Sequence, residues 1–143
     1  MKEHTCEKKN SYIKAILINY LVNNKSTTGY EFIKHCKSIG VPASNGNVYP
    51  LLKKLTEEKI LTYEESGNKK IYRFTKKGKK SLENTFMDVA PAYLRNAVIN
   101  NILVGVKVNW NNPDDIDKLI KDSEELLTEF KKFSDSLRNK HVE

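Results

Sequence analysis

The 18 residues from Ser44 to Leu61, SNGNVYPLLKKLTEEKIL, constrain the fold more than any other stretch of the chain. Val48, Leu51, Leu52 and Leu55 recur at helical spacing and fall within one narrow arc, so they must pack inward. Ser44 stands where an N-cap belongs. The opposite side of the same helix presents Gly46, Tyr49 and Lys53, with Asn47 and Lys54 at its margins, and Tyr49 and Lys53 are neighbours because they are four residues apart. Pro50 falls past the first turn, where it removes a backbone hydrogen bond at a cost of roughly 3 kcal/mol in an ordinary helix interior. Two readings of Pro50 are open: it shapes the end of the helix that meets a ligand, or it is a tolerated kink.

The neighbouring segments brace this helix. Asn10 or Ser11 is placed to cap a first helix whose Ile13, Ile16, Leu17, Tyr20 and Leu21 share one face, with Met1 to Lys9 ahead of it as a mobile basic arm. Thr28 and Glu31 have the spacing of a capping box, which starts a second helix from Gly29 to Ile39 expected to bury Tyr30, Ile33 and Cys36. Gly40 suits its left-handed C-terminal cap. Val41, Pro42 and Ala43 then form the short turn of a helix-turn-helix. Downstream, Leu61–Ser66 and Lys69–Phe74 read as two strands of a hairpin closed by Gly67-Asn68. Alternation puts Tyr72 and Phe74 on one face and Lys69, Ile71 and Arg73 on the other. A helix-turn-helix followed by a basic two-stranded ribbon is the winged-helix arrangement, in which the ribbon lies along a phosphate backbone beside the groove occupied by the helix. Thr75 caps the next helix, and Lys76, Lys77, Lys79 and Lys80 crowd its first turns against the helix dipole; phosphate oxygens or plain solvation would accommodate them.

Charge supports an anionic partner. Residues 1–82 hold 17 Lys and Arg against 7 Asp and Glu, whereas residues 83–143 hold 8 against 11, so the surplus behind the net charge of +7 sits with the helix-turn-helix. Two cysteines, Cys6 and Cys36, lack CxxC spacing, and the histidines His4, His35 and His141 are scattered, so neither a disulfide framework nor a metal site is expected. No cofactor is expected either. No nucleophile–base pair, phosphate-cradling glycine loop or carboxylate cluster appears, which argues against an enzyme. The polar N-terminus MKEHTCEKKN is not a secretory signal and no apolar run nears the ~20 residues of a membrane span, so a cytoplasmic protein without membrane contact is expected.

Three stretches, TGYEFIK, SNGNVYPLLKKL and KKIYRFTKKGKK, resemble the PadR family of transcriptional regulators over about Thr28 to Leu82. The resemblance implies a dimeric winged-helix repressor or activator that binds a palindromic double-stranded DNA operator and is released by a small, frequently aromatic effector. It also implies that Ser44, Asn45, Asn47, Tyr49 and Lys53, with Lys54 at the margin, approach DNA from the third helix, Tyr30 from the head of the second, and Lys69 and Lys70 from the wing. Asn47 departs from the family, which usually has a small hydroxyl residue there.

Beyond Phe86 the pattern is helical again. A helix starting at Asp88, Ala90 or Pro91 is expected to turn Leu94, Val98, Ile102 and Val106 inward. Trp110 ends it inside the loop VNWNNPDD, as a packing residue or, second to that, the lining of an effector pocket between subunits. Asn112 reads as an N-cap and Pro113 as the first residue of a last helix. Its stripe of Ile116, Leu119, Ile120, Leu126, Leu127, Phe130, Phe133 and Leu137 is wider than a small winged domain covers, so we read it as a dimer seam in preference to intramolecular core. The expected fold class is therefore mainly α with a small β-hairpin wing, divided into a DNA-binding domain (1–87) and a C-terminal helical dimerisation region (88–143). The rival functions are a winged-helix module that binds an acidic protein partner and a DNA-binding scaffold without an effector.

Overall fold

A computed structural model describes residues 2–142, with side chains over 12–140. It divides into one compact unit ending at Ala90 and a second beginning at Pro91.

The first unit holds, in order, α1 (Lys2–Asn24), β1 (Ser26–Thr28), α2 (Gly29–Ser38), α3 (Asn45–Glu57), β2 (Leu61–Ser66), β3 (Lys69–Phe74), α4 (Lys76–Leu82) and the single turn α5 (Phe86–Val89). The helix α1 begins at Lys2, so Lys2 to Lys9 is helical rather than an arm and Asn10 and Ser11 are interior, not caps. Nothing between Lys2 and Asn10 breaks a helix, since Gly and Pro are absent there. The core is where the apolar stripes meet: Ile13, Leu17 and Leu21 of α1, Phe32 and Cys36 of α2, Val48, Leu52 and Leu55 of α3, and Leu61 of β2 are all essentially without solvent exposure. The burial pattern of α3 is the one its spacing requires.

The expectation for α2 needs one correction. Tyr30 is 70% exposed, and Phe32 fills the core position instead. The helix is only ten residues long, and the aromatic residues Tyr30 and Phe32 stand two apart, which a 3.6-residue period cannot place on one face. The caps form as the sequence requires: Glu31 N–H donates to Thr28 Oγ1 (3.1 Å), Thr28 N–H donates to the Glu31 carboxylate (3.3 Å), and Gly40 adopts φ 78°.

The ribbon is not two-stranded. β1 pairs antiparallel with β3 (Ser26 opposite Arg73, Thr28 opposite Ile71), giving a three-stranded sheet in the order β1-β3-β2. The hairpin itself has the expected register, Leu61 opposite Phe74 and Ser66 opposite Lys69, with Gly67 at φ 62° supplying the positive torsion that a two-residue loop demands.

Two titratable groups report on packing in this unit. Burial pushes the Cys36 thiol up to about 11, which leaves it protonated and unreactive at neutral pH. His35 lies against Tyr20, ring centroids 4.5 Å apart, and burial holds its imidazole below the usual value of 6.5. Between the lowered folded value and 6.5 the unfolded chain binds the extra proton, so this group's contribution is present above 6.5 and is lost as pH falls. Replacing His35 with Gln is expected to flatten that acid-side slope; urea midpoints measured from about pH 5 to 8 test it, and an unchanged slope would refute the assignment.

The second unit pairs α6 (Ala92–Lys107) with α7 (Pro113–Val142). Asn112 caps α7 by accepting the Asp114 N–H at 3.0 Å, and Pro113 is its first residue. Ser123, the break in the apolar stripe, accepts a hydrogen bond from Asn101 Nδ2 (3.3 Å). On α6 the buried residues are Leu94, Arg95, Ile99 and Leu103, while Ile102 and Val106 are exposed and Val98 is only half-buried. The expected face is therefore rotated by about one residue. Apolar side chains stand in adjacent pairs here (Val98-Ile99, Ile102-Leu103), and periodicity does not choose between the members of a pair. Asp88 is not on this helix: it lies in α5 and accepts the Asn84 N–H at 3.1 Å. Trp110 is 65% exposed, so it does not pack within the unit.

Along α7 the apolar stripe splits into two rows. Ile116, Leu119, Leu126 and Phe133 are half-buried, and Leu119 approaches Gly105 of α6. Ile120, Leu127 and Leu137 are exposed and left uncovered by the unit's own core, and Phe130 on the same row is 39% exposed.

Candidate nucleic-acid interface

The helix α3 carries its polar face outward. Ser44, Asn45, Gly46, Tyr49, Lys53 and Lys54 are exposed. The helix continues through Pro50. The residue that a proline at this position deprives of its N–H partner is four back, Gly46, which is exposed and so open to water at its carbonyl.

Asn47 does not face outward freely. Its Oδ1 accepts the Ser44 N–H at 2.9 Å and its Nδ2 donates to the Pro42 carbonyl at 3.3 Å, so both ends of the amide hold the turn that starts α3. A small hydroxyl residue does less of this work, which accounts for Asn at this position in structural terms.

Tyr49 has a built seat. A Cβ placed on Gly29 would come within 2.6 Å of the Tyr49 ring, so the ring lies directly on the backbone at the start of α2, and only glycine leaves it that room. Tyr30 follows at once and projects into solvent. From the other side comes the wing. Lys70 Nζ lies 4.7 Å from the centroid of the Tyr63 ring, and Tyr63 in turn packs on Tyr72 at 5.5 Å. Burial is the main reason the Tyr72 hydroxyl is raised above its ordinary pKa; Lys70 pulls it down, and the tyrosines at 63 and 49 push it up. These couplings place Tyr49, Tyr72 and Lys70 within one electrostatic neighbourhood.

The outcome is a concavity of about 540 Å³ between the head of α2, α3 and the wing tip, lined in part by Gly29, Tyr30, Tyr49, Lys69 and Lys70. Of the nine residues expected at DNA, it brings together Tyr30, Tyr49, Lys69 and Lys70. Ser44, Asn45, Lys53 and Lys54 are exposed on α3 outside its lining, and Asn47 is held in the turn. Sequence reasoning missed Gly29 and Asn68 as parts of the concavity and Tyr63 as the rest for Lys70. The signal for Gly29 was its position as the residue after an N-cap, where glycine has no conformational advantage and so stands for lack of volume.

Behind the concavity, Thr75 ties α4 to the end of α3. Its Oγ1 accepts the Gly78 N–H at 2.9 Å and donates to the Lys59 carbonyl. Lys77 Nζ donates to the Glu58 carbonyl (3.2 Å), so one of the four lysines crowding α4 is spent on the C-terminus of α3, where a cation is favoured. Among the described residues, no helix is long and apolar enough to cross a membrane.

Residues 17–84 match the model of the transcriptional regulator PadR-like family. Solved structures similar to this chain include a winged-helix DNA-binding protein from STIV, 32% identical, covering 52% of this chain and 79% of that one with a TM-score of 0.43. Others are a PadR-like transcription factor from Bacteroides fragilis (24% identical, 71% and 99% covered, TM-score 0.47) and PadR of Bacillus subtilis in complex with operator DNA (18% identical, 85% and 97% covered, TM-score 0.41). None of the curated proteins matches. The segment of the helix-turn-helix and the three-stranded wing thus matches the transcriptional regulator PadR-like family over 68 of the chain's 143 residues.

Proposed function

We propose that this protein is a sequence-specific regulator that binds duplex DNA as a homodimer, acting as a repressor at a palindromic operator and released by a small aromatic effector. The observation that carries the reading is the concavity in which the N-terminus of α2, Tyr49 of α3 and the wing lysines Lys69 and Lys70 converge. In this reading α3 enters the major groove, with Tyr49 and Lys53 reading base edges and Ser44, Asn45 and Lys54 flanking them. Tyr30, Lys69 and Lys70 hold the phosphate backbone and fix the register. Asn47 acts indirectly, by holding the turn that aims the helix.

The uncovered residues Ile120, Leu127 and Leu137 support pairing of two copies through α7, with residues 88–143 as the dimerisation region and residues 1–87 as the DNA-binding domain. A two-fold dimer presents two copies of α3 to two half-sites, which is why the operator is expected to be palindromic. The protein works where its DNA is, in the cytoplasm.

The test is a mobility shift on the gene's own upstream DNA across a salt series. Binding is expected to weaken steeply with salt, and Lys69→Ala with Lys70→Ala is expected to lower the slope of log K against log salt by roughly 2 per protomer. Absence of any shift at low salt would overturn the reading in favour of a module that binds an acidic protein.

A further inference from the structure

The second row of α7 carries a pattern of charge along one edge. Ile120, Ser123, Leu127, Phe130, Ser134 and Leu137 follow one another by steps of three and four residues, the heptad spacing of a coiled-coil seam. On one flank of this row Leu119 approaches Gly105, and Leu126 lines a cavity with Ala97 and Val104, so α6 occupies that flank within the unit. On the other flank Asp117, Glu124, Lys131 and Arg138 stand at intervals of seven residues, and all four are exposed. Their signs are segregated, with the acids toward the N-terminal end of the helix and the bases toward the C-terminal end.

Segregated signs encode a direction. Two copies of α7 laid head to tail bring each acid of this flank against a base of the other copy. A parallel pair in register instead sets the charged flank against Leu119, Leu126 and Phe133, which offer it no charge.

We infer that the row is covered by α7 of a second copy of this chain, running antiparallel. In the register that suits the row, Ile120 meets the partner's Leu137 and Leu127 meets the partner's Phe130. Ser123 then meets the partner's Ser134, so the two polar residues of the row share one layer, which the Asn101 amide already supplies with a hydrogen bond to Ser123 at 3.3 Å. The same register sets Asp117 beside the partner's Arg138 and Glu124 beside the partner's Lys131. One step further out, Lys121 falls opposite the partner's Asp135, again with opposite sign. Within the chain Asp135 holds Arg138 at 3.3 Å, but both side chains are largely exposed, at 68% and 76%, and an ion pair of that kind yields readily to a second carboxylate. The inference rests on the homodimer proposed above and adds its direction and its register.

The two-fold axis then crosses α7 between Thr128 and Glu129, which puts the N-terminal ends of the two helices far apart. Spin labels on the full chain at Asp114→Cys, with Cys6→Ser to remove a second attachment point, are expected to lie roughly 45 Å apart in the dimer. A distance below about 25 Å is the signature of parallel helices and would overturn the inference. Charge reversal tests the register on unlabelled chains. Asp117→Lys with Glu124→Lys is expected to raise the dimer dissociation constant, measured by sedimentation equilibrium, by at least about tenfold. Adding Lys131→Glu and Arg138→Glu, which returns the net charge to that of the parent, is expected to bring it back within about threefold. The register is wrong if the half-reversed chain dimerises as the parent does, or if the full swap stays folded by circular dichroism and does not recover. Should the half-reversed chain lose its helices, the label distance decides alone. A dimer with close labels removes only this pairing, a monomeric parent removes the homodimer with it, and a mobility shift on the same samples reads DNA binding separately.

Discussion

The double variant Tyr49→Ala, Lys53→Ala is expected to lose preference for the operator by on the order of a hundredfold or more while keeping its fold. Each good contact to a base edge is worth about 1–3 kcal/mol of discrimination, and the proposed dimer would lose the pair twice. Both side chains stand on the exposed face of α3, whereas the core face of Val48, Leu51, Leu52 and Leu55 is untouched. Thermal unfolding is therefore expected to move little, with the loss of the Tyr49 contact to Gly29 as the main cost. Competition binding between operator and unrelated duplex measures the effect. Full preference in the double variant would mean that the reading surface lies elsewhere, and a large fall in melting temperature would mean that Tyr49 serves the core rather than DNA.

The largest effect on stability is expected at Gly78. A Cβ there would lie 2.2 Å from the Ile60 carbonyl oxygen and 3.0 Å from its carbon, both backbone atoms. That carbonyl is not free to retreat, because it accepts the Thr75 N–H at 3.0 Å, and the Gly78 N–H is itself capped by Thr75 Oγ1. Substitution with Ala must part α4 from the end of α3, and a loss of about 3 kcal/mol is expected, equal to roughly 15 °C in a domain of this size. Gly67→Ala is the matched control. It meets no atom within 4 Å and suffers only its positive φ of 62°, so it is expected to cost about 1 kcal/mol. Urea denaturation of the two variants side by side measures the difference; equal losses would show that the contact between α4 and Ile60 is looser than the distances state.

Much of this was legible in the sequence, for reasons that differ by element. The face of α3, the register of the hairpin, and the caps at Thr28, Gly40, Ser44 and Asn112 follow from local chemistry, which short stretches of chain carry in full. β1 was not legible, because three residues, Ser-Thr-Thr, are too few to show a period of two and their pairing partner lies more than forty residues away. The face of α6 was misread because its apolar residues come in adjacent pairs, leaving the choice to tertiary packing. Tyr30 shows a third kind of failure. Its hydrophobicity argued for burial, yet a tyrosine beside a glycine at the head of a helix serves equally as an exposed donor, and only the neighbouring Phe32 decides which of the two enters the core.

Thr28 is both the last residue of β1, opposite Ile71, and the N-cap of α2. One end of the wing is thereby anchored within a single residue of the helix-turn-helix, while the other end is the free tip at Gly67-Asn68. If the wing lies along DNA as proposed, its reach is adjustable at the tip, by added or deleted pairs of residues that preserve the strand alternation. A length change at the anchored end would rotate the head of α2 and shift the seat of Tyr49, altering which bases are met rather than how many. Reach and choice of sequence are thus separately heritable in this scaffold, each adjustable without disturbing the other.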